Sequence, residues 1–298
     1  MPPLLVLVGP TASGKSAVAI PVARELRAEF VSLDSMLLYR GMDIGTDKPR
    51  ERGGVPHHLV DLLDPSERFD LRAYLAAADA AIASIHARGR RALVVGGTGL
   101  YLRGLLKGVF EGAPRQPRLR EAWAGAPTGA LHVRLAAQDP AAAARLHAND
   151  RRRIVRALEV LATTGRPIHS LQTQFAGPDR YEALLAGVHR SRDDLRARSR
   201  ARIAAMRDAG LVEEVRRLAL GPTAGQAVGY KELRRALRGE LTFEAAWTLV
   251  ERHTWRLVRR QETWFRKFAV RWVDAAPADG PAELVPRLVA IYRGTTTE

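Results

Sequence analysis

One short segment near the start of the chain constrains its fold more than any other feature. The sequence GPTASGKS at residues 9–16 follows the apolar run Leu4–Val8 and precedes Ala17–Ile20, which is typical of the start of a helix. A strand, a glycine-rich loop and a helix in this order form a P-loop. The loop N–H groups and the helix N-terminus attract an anion. We predict a site for adjacent phosphates; the alternative is a glycine-rich turn that happens to contain Lys-Ser.

Each residue of this loop is a candidate phosphate ligand. Gly9 and Gly14 allow tight turns, Lys15 adds a full positive charge, and the Ser16 hydroxyl is placed to bind a phosphate-bound Mg²⁺. The predicted diphosphate or nucleotide ligands are Gly9, Pro10, Thr11, Ala12, Ser13, Gly14, Lys15 and Ser16. No spacing of His, Asp and Glu in the sequence suggests a metal cage formed by the protein alone.

The composition limits the chemistry and indicates the kind of partner. The sequence has no cysteine, which excludes disulfides, zinc–thiolate sites and cysteine catalysis and is typical of cytoplasmic proteins. No apolar stretch is long enough for a transmembrane helix, and we expect no cleaved signal peptide. The net charge is +15, from 47 Lys and Arg against 32 Asp and Glu. Because phosphate backbones attract clustered cations, we predict a polyanionic partner, with an anionic membrane surface as the weaker alternative.

The first third of the chain has the pattern of repeated βαβ units. Short apolar strands are predicted at Leu4–Val8, Phe30–Leu33 and Ala92–Val95, with an alanine-rich helix over Leu71–Ala87. Strands that alternate with helices in this way form a parallel sheet with both faces covered. We therefore predict an α/β fold of the P-loop, kinase-like type, whose ligands bind at the carboxyl ends of the strands.

The middle of the chain has a different character. Pro114 and Pro117 mark a boundary, after which residues 118–180 have a helical pattern with no evident strand. Asp139-Pro140 is typical of a helix start, and Asn149-Asp150 of a helix cap. We predict an inserted helical domain at residues 115–180, within a core formed by residues 1–114 and 181–298. The chain then returns to the sheet near residues 181–189.

Two polar clusters follow the predicted strands. Asp34 comes directly after Phe30–Leu33, where either an acid–base carboxylate or a Mg²⁺-binding aspartate is expected; position alone does not separate these. The polar, glycine-punctuated segment 34–49 favours a loop shaped around a second substrate. Gly96-Gly97-Thr98 follows the later strand, where Thr98 is either a neutral hydrogen-bond donor to a phosphate oxygen or part of a turn that caps the next helix.

Arginines are concentrated in three places. One group crowds a predicted helix start: Arg192, Arg196, Arg198, Arg200 and Arg202. A second lies on the predicted helix Leu241–Phe268, opposite a predicted buried stripe. The stripe is Trp247, Val250, Thr254, Leu257, Gln261, Trp264 and Phe268, and the arginines are Arg252, Arg256, Arg259, Arg260 and Arg266. The third is the run Arg151–Arg156. A solvated charged face is the simple interpretation, but arginines without balancing acids favour a nucleic-acid surface.

Six blocks together resemble one family. They are GPTASGKS at 9–16, DSMLLYRGMDIGTDKP at 34–49, GGTGLYLRGLL at 96–106, HANDRRRIVRALEVLATTG at 147–165, VGYKEL at 228–233 and RRQETWFRKF at 259–268. Over nearly the whole chain they are similar to bacterial tRNA dimethylallyltransferases, which resemble nucleoside kinases in fold. The resemblance implies transfer of a dimethylallyl group from dimethylallyl diphosphate to N6 of adenosine 37 of tRNA, 3′ of the anticodon, with release of diphosphate and with Mg²⁺ as cofactor.

The resemblance also implies roles for individual residues. Asp34 holds and deprotonates the adenine amine, Thr98 contacts the donor near its leaving oxygen, and Arg202 acts with Lys15 and Ser16 on the diphosphate or its Mg²⁺. The target adenine leaves the anticodon-loop stack to reach the site. Implied contacts with the tRNA anticodon stem-loop are Asp34, Ser35, Met36, Leu37, Thr98, Arg120, Arg152, Arg153, Arg156, Gln226, Gly229, Tyr230, Lys231, Arg259, Arg260, Gln261, Thr263, Trp264 and Arg266.

Other functions remain open from the sequence. A P-loop kinase would need ATP and would use Asp34 on a hydroxyl group, and a related enzyme would prenylate a free adenine nucleotide. A non-catalytic RNA-binding module would explain the charge but not the combination of the P-loop with Asp34 and Thr98. The basic helix and the inserted domain favour tRNA, because a free nucleotide needs neither. We expect a cytoplasmic, monomeric protein with no membrane attachment.

Overall fold

The computed structural model describes residues 2–49, 51–109, 114–171 and 177–294. The chain forms two compact units. The first comprises Met1–Leu106 and Tyr181–Glu298, and the second comprises Lys107–Arg180. In the described residues, no helix has both the length and the apolar character needed to cross a membrane.

The first unit is built on a six-stranded parallel sheet. Its strands are β1 (Leu4–Val8), β2 (Ala28–Ser32), β3 (His57–His58), β4 (Arg91–Gly96), β5 (Ala183–His189) and β6 (Arg271–Asp274). They lie in the order β3-β2-β4-β1-β5-β6, all parallel. Val8 at the end of β1 pairs with Gly96 of β4 and Gly187 of β5, so the central strands end at a common edge. The predicted α/β fold class is confirmed.

The two outer strands, β3 and β6, were not predicted from the sequence patterns. β3 is only two residues long, and β6 buries only Val273 of its four residues. Neither has the continuous apolar run that identified β1, β2 and β4, because both lie at the edges of the sheet. The predicted β2 and β4 are present, with bounds that differ by one or two residues.

The helices connect and cover the strands. In chain order they are α1 (Lys15–Glu25), α2 (Leu71–Ala87), α3 (Gly99–Lys107), α4 (Pro117–Ala122), α5 (Thr128–Gln138), α6 (Pro140–Arg145), α7 (Arg151–Thr164), α8 (Ile168–Leu171), α9 (Arg192–Asp208), α10 (Leu211–Arg217), α11 (Tyr230–Leu237), α12 (Phe243–Phe265) and α13 (Pro281–Arg293). The predicted α2 has the bounds expected, because Asp70 caps it by accepting the N–H of Ala73 at 3.0 Å.

Two apolar clusters form the core of the first unit. One joins α1 and α13 to the side chains of Leu5, Leu7 and Leu93 on one face of the sheet. The other packs α9 to α12 around the segment that follows β2, including Leu38, Tyr39 and Met42. The segment between β2 and β3 is therefore held against the C-terminal helices, which places it at the carboxyl edge of the sheet.

The buried face of α12 differs in part from the predicted stripe. Trp247, Val250, Thr254 and Gln261 are buried as expected. Towards the end of the helix the buried residues are Val258 and Phe265, whereas the predicted Leu257, Trp264 and Phe268 are only half-buried. The helix also ends at Phe265. A regular α-helix has 3.6 residues per turn. A side-chain stripe predicted over about twenty residues therefore rotates away from the side of the helix that faces the core.

The second unit is a small helical bundle with its own apolar core. Trp123, Leu131, Leu135, Ile154 and Leu158 pack together among α4 to α7. As predicted, Asp139 caps α6 through the N–H of Ala142, and Asp150 caps α7 through the N–H of Arg153. The unit begins at Lys107, where α3 ends, a few residues before the prolines that suggested a boundary at 114.

Candidate diphosphate and acceptor site

The loop between β1 and α1 has the backbone conformation of an anion-binding turn. Ala12 and Gly14 have φ angles of 68° and 92°, and the N–H of Ser13 closes the turn on the carbonyl of Pro10 at 3.2 Å. α1 begins at Lys15, so its unpaired N–H groups and its positive dipole end follow this turn directly. The predicted phosphate ligands of residues 9–16 thus lie together on one loop.

Two arginines about 180 residues further along the chain hold this loop. Nε of Arg190 donates to the carbonyl of Ser13 at 2.9 Å, and Nε of Arg198 donates to the carbonyl of Ala12 at 3.0 Å. Arg190 is 2 % exposed and also binds Asp194 and the carbonyls of Ala276 and Asp279. Since these arginines occupy loop carbonyls, they fix the conformation of the cradle. Arg190 is not among the predicted site residues, because no sequence motif surrounds it.

The cationic side of the site contains Lys15 and Arg202. The pKa of Lys15 is lowered to about 8, mainly by loss of hydration and also by Arg202, while Asp34 and Asp47 act in the opposite direction. Nε of Arg202, on α9, lies 3.7 Å from the carboxylate of Asp47. Lys15, Arg202 and Asp47 therefore interact electrostatically in one place. A ligand with two or more negative charges would relieve the repulsion between the two cations.

Asp34 and Thr98 come together at the ends of β2 and β4. The carboxylate of Asp34 accepts the N–H of Met36 at 2.8 Å, which holds its side chain in a tight turn. The hydroxyl oxygen of Thr98 accepts the N–H of Ser35 at 3.3 Å, and the N–H of Thr98 donates to Leu33 at 3.3 Å. Asp34 and Thr98 are both half-buried. The two polar clusters predicted from separate strands thus form one structure.

A glutamine from α12 joins this structure to the P-loop. Gln261 accepts the N–H of Thr11 at 2.8 Å and donates to the carbonyl of Gly97 at 3.1 Å. A Cβ on Gly97 would lie inside the Gln261 amide, so the glycine is required for this approach. The next turn repeats the pattern, since a Cβ on Gly99 would overlap the side chain of Trp264. Gln261 was predicted as an RNA contact, but both ends of its side-chain amide are bonded to Thr11 and Gly97.

Other predicted RNA contacts also have internal partners. Tyr230 is 0 % exposed, with its hydroxyl bound to Glu214, so its side chain is not available to an RNA. In the second unit, Arg120 forms two hydrogen bonds of 2.8 Å with the buried carboxylate of Glu159, and Arg156 forms another of 2.7 Å. Leu37 and Gly229 are buried as well. The contacts of these residues with RNA stay predictions, and Arg120 and Arg156 keep partly exposed side chains beside their bonds to Glu159.

The remaining predicted contacts are on the surface of their own unit. Ser35, Met36 and Trp264 are half-buried, and the others are exposed: Arg152, Arg153, Gln226, Lys231, Arg259, Arg260, Thr263 and Arg266. The exposed Arg252, Arg256, Arg259 and Arg260 of α12, and Arg266 directly after it, have no ion-pair partner among the residues that the structure describes. Uncompensated arginines on one helix are suited to a polyanion.

The donor set at the P-loop fits a metal that is bound mainly by a substrate. Among the described residues there is no group of three His, Asp or Glu side chains that would hold a metal alone. The Ser16 side chain lies exposed in the first turn of α1 and offers one oxygen ligand. Mg²⁺ commonly takes one or two protein ligands and completes its shell with phosphate oxygens and water. The site therefore fits Mg²⁺ carried by a diphosphate.

Known proteins share this arrangement of fold and motifs. A family model described as IPP transferase matches residues 37–268. The chain belongs to the IPP transferase family. A protein of Symbiobacterium thermophilum named tRNA dimethylallyltransferase is 46% identical over 304 residues, which cover 98% of this chain and 95% of the relative. The resemblance stated from the sequence motifs is thus confirmed.

Solved structures of the family agree with the fold. The full-length tRNA isopentenylpyrophosphate transferase of Bacillus halodurans superposes with a TM-score of 0.74 at 36% identity, covering 99% of this chain and 96% of that one. A eukaryotic dimethylallyltransferase, described as acting on tRNA, superposes with a TM-score of 0.80 at 24% identity, covering 99% and 80% of the two chains. At that identity the second likeness concerns the fold alone.

Proposed function

We propose that this chain is a tRNA dimethylallyltransferase. It transfers the dimethylallyl group of dimethylallyl diphosphate to N6 of adenosine 37 in tRNA and releases diphosphate. The observation that carries the proposal is the meeting of three parts at one sheet edge: the P-loop after β1, Thr98 after β4 and Asp34 after β2. The P-loop suits a diphosphate, and Asp34 suits a weakly nucleophilic amine. Thr98 follows β4, which lies between the strands that precede the other two.

The donor end of the site stabilises the leaving group. Cleavage of the allylic C–O bond places positive charge on carbon and negative charge on the diphosphate. Lys15, Arg202 and the loop N–H groups provide positive charge on the diphosphate side, and the Thr98 hydroxyl donates to the oxygen that gains charge. Ser16 would hold Mg²⁺ through its hydroxyl, and the ion would supply further positive charge to the phosphate oxygens.

The acceptor end of the site uses Asp34. The exocyclic amine of adenine is a weak nucleophile because its lone pair is delocalised into the ring. A carboxylate that accepts its proton as the N–C bond forms raises its reactivity, typically by 10²–10⁴-fold. The turn formed by Asp34 and the N–H of Met36 leaves the second carboxylate oxygen for the amine. The adenine reaches it after leaving the anticodon-loop stack.

The acceptor is proposed to be a tRNA because of the charge distribution within each unit. α12 and its C-cap present five exposed arginines in the first unit, and Arg152 and Arg153 lie exposed at the start of α7 in the second. A free nucleotide would use only the sheet edge. A protein that acts on tRNA is expected in the cytoplasm, and nothing in the proposed chemistry requires more than one copy of the chain.

The experiment separates a prenyltransferase from a kinase. Purified protein is incubated with labelled dimethylallyl diphosphate, Mg²⁺ and unmodified tRNA, with no ATP. We expect label in tRNA, competition by inorganic diphosphate, and little label in AMP when it replaces tRNA. A strict ATP requirement with ADP release in proportion to product would instead identify a P-loop kinase, and efficient labelling of AMP without tRNA labelling would identify a free-nucleotide prenyltransferase.

A further inference from the structure

A buried carboxylate outside the catalytic constellation holds the loop that faces the cationic side of the site. Glu214, on α10, is 1 % exposed. Its oxygens accept three successive backbone N–H groups, from Asp43 at 3.0 Å, Ile44 at 2.8 Å and Gly45 at 3.2 Å. The hydroxyl of Tyr230 donates to the same carboxylate. Converging N–H groups in a turn form an anion-binding nest, and here a side chain of the protein fills it.

Further contacts stabilise the turn formed by residues 42–48. Nζ of Lys48 donates to the carboxylate of Asp43 at 2.7 Å, and the hydroxyl of Thr46 donates to the carbonyl of Met42 at 2.6 Å. The ring of Tyr230 packs directly on Gly45, where a Cβ would lie 2.7 Å from Cζ of the ring. The segment 42–48 is therefore a compact turn that Glu214 of α10 and Tyr230 of α11 contact directly, in addition to the apolar packing of Met42.

This turn ends beside the proposed diphosphate ligands. Asp47 lies on it, 3.7 Å from Nε of Arg202 and close enough to act on the charge of Lys15. The only ion-pair partner of Glu214 among the described residues is the exposed Arg217, at 3.9 Å, so the carboxylate is not held mainly by a salt bridge. Its four strong contacts are all with the turn and with Tyr230.

We propose that Glu214 and Tyr230 are positioning residues of the donor site, which fix residues 43–47 so that Asp47 orients Arg202 towards the diphosphate. This inference rests on the proposed function. A carboxylate is needed at position 214 because it offers only acceptors, whereas the amide of a glutamine there would turn an N–H₂ group towards the loop N–H groups. Small displacements of groups that bind a reacting ligand are costly, about 10²-fold for 1 Å.

The experiment compares Glu214→Gln and Tyr230→Phe with Glu232→Gln as a matched control. Glu232 is also a buried carboxylate, at 2 % exposure, and it accepts one backbone N–H from Gly229 and contacts His253. For each variant, the affinity for inorganic diphosphate with Mg²⁺, kcat and KM for dimethylallyl diphosphate, and Tm are measured. We expect Glu214→Gln to lower diphosphate affinity and kcat/KM by about 10–100-fold and Tyr230→Phe by about 3–10-fold, while Glu232→Gln lowers only Tm.

A double-mutant cycle tests whether the effect passes through Asp47. If Glu214 acts by placing Asp47, the effect of Asp47→Asn on diphosphate affinity, whatever its sign, shrinks to less than half on a logarithmic scale in the Glu214→Gln background. Should Glu214→Gln not fold, Gly45→Ala displaces the same turn through the Tyr230 ring and is put through the same cycle.

Two results would overturn the inference. One is a Tm loss for Glu214→Gln with diphosphate affinity and kcat/KM within twofold of wild type, and the other is an additive cycle. Failure of the proposed function has a different signature. The wild-type protein would then bind diphosphate but transfer no dimethylallyl group to tRNA, and the diphosphate affinities would still decide the role of Glu214.

Discussion

Asp34 has two candidate roles: a base that accepts the proton of the acceptor amine, or a ligand of Mg²⁺. Its carboxylate accepts the N–H of Met36 at 2.8 Å, a bond that an asparagine would keep through its carbonyl oxygen. Asp34→Asn therefore removes the base while preserving the turn. We expect kcat to fall by about 10²–10⁴-fold with donor affinity unchanged. Single-turnover transfer to tRNA, together with donor binding, measures both quantities.

A matched control exists on the same unit. Asp64 forms an equivalent turn with the N–H of Ser66 at 2.9 Å, on the surface of the protein, and Asp64→Asn should leave kcat within twofold. If Asp34 were a metal ligand, the Asp34→Asn defect would appear as lost donor binding and would be relieved by excess Mg²⁺. That pattern would contradict its assignment as the base.

Some residues of the site could be predicted from the sequence because their roles depend on neighbouring residues in the chain. The P-loop, Asp34 and Thr98 each follow an apolar strand, and parallel strands bring their carboxyl ends together. Arg190 and Glu214 could not be predicted. Each is a charged residue on or beside a helix, with no motif of its own, and its role depends on partners 177 and about 170 residues away in the chain.

Among the helices, α12 has two functions on opposite faces. Its exposed face carries the arginines, and its buried face carries Gln261, which bridges the N–H of Thr11 and the carbonyl of Gly97. Gln261→Glu keeps the first bond but turns a second acceptor towards the Gly97 carbonyl. Leaving a buried group unpaired costs about 1–3 kcal/mol, so we expect kcat/KM for the donor to fall by at least about fivefold.

The control for this prediction lies on the same helix. Thr248 is exposed, and its hydroxyl donates only to the carbonyl of Glu244 in the preceding turn. Thr248→Ala should therefore leave donor kinetics unchanged. Kinetics of both variants at saturating tRNA would separate a donor-side defect from weakened RNA binding. A Gln261→Glu variant that changes only the KM for tRNA would contradict the bridging role.

In the second unit, α4 is attached to α7 through Glu159. Burial alone would raise the pKa of this carboxylate, but Arg120, the N–H of Gln116 and Arg156 together hold it at about 2, below the ordinary 4.5. Because the pKa is depressed on folding, the stabilisation is complete above about pH 4.5 and is lost as the pH falls towards 2. The shift corresponds to on the order of 3 kcal/mol.

We expect Glu159→Gln to destabilise the second unit at pH 7 and to remove its loss of stability between about pH 4.5 and 2. Hydrogen exchange of the α7 amides in the full chain, corrected for intrinsic rates, measures this stability. The exposed Glu121 on α4 provides the control, since Glu121→Gln should leave α7 protection unchanged. A Glu159→Gln variant that keeps the acid dependence of wild type would show that other groups control it.

Taken as a whole, the chain carries a large excess of positive charge, most of it from arginine. The net charge of +15 was readable from composition, and the exposed arginine face of α12 was readable from periodicity. The sequence did not indicate which arginines are exposed and which are paired with buried acids. Arg120 and Arg156 lie in the same unit as Arg152 and Arg153, yet the first two bind the buried Glu159, whereas the other two are exposed. Pairing depends on three-dimensional neighbours that a sequence pattern does not specify.

The salt dependence of tRNA binding follows from this division. Each lysine or arginine that neutralises a phosphate contributes about 0.7–0.9 to the slope of log affinity against log salt concentration. We expect Arg152→Ala in the second unit, and Arg259→Ala and Arg266→Ala in the first, each to flatten the slope by about that amount. Arg238→Ala is the control, because Arg238 already pairs with Glu240 at 2.6 Å and should not change the slope.

A combination of variants tests whether one tRNA engages both units at once. If it does, Arg152→Ala and Arg259→Ala lie in one complex, so their slope changes add, to about 1.4–1.8 in the double variant. If each unit bound RNA independently, the unaltered unit would carry the binding, and neither single variant would lower the slope fully. Titrations of an anticodon stem-loop at several salt concentrations distinguish these cases. Slopes equal to wild type in all variants would mean that these arginines only solvate the surface.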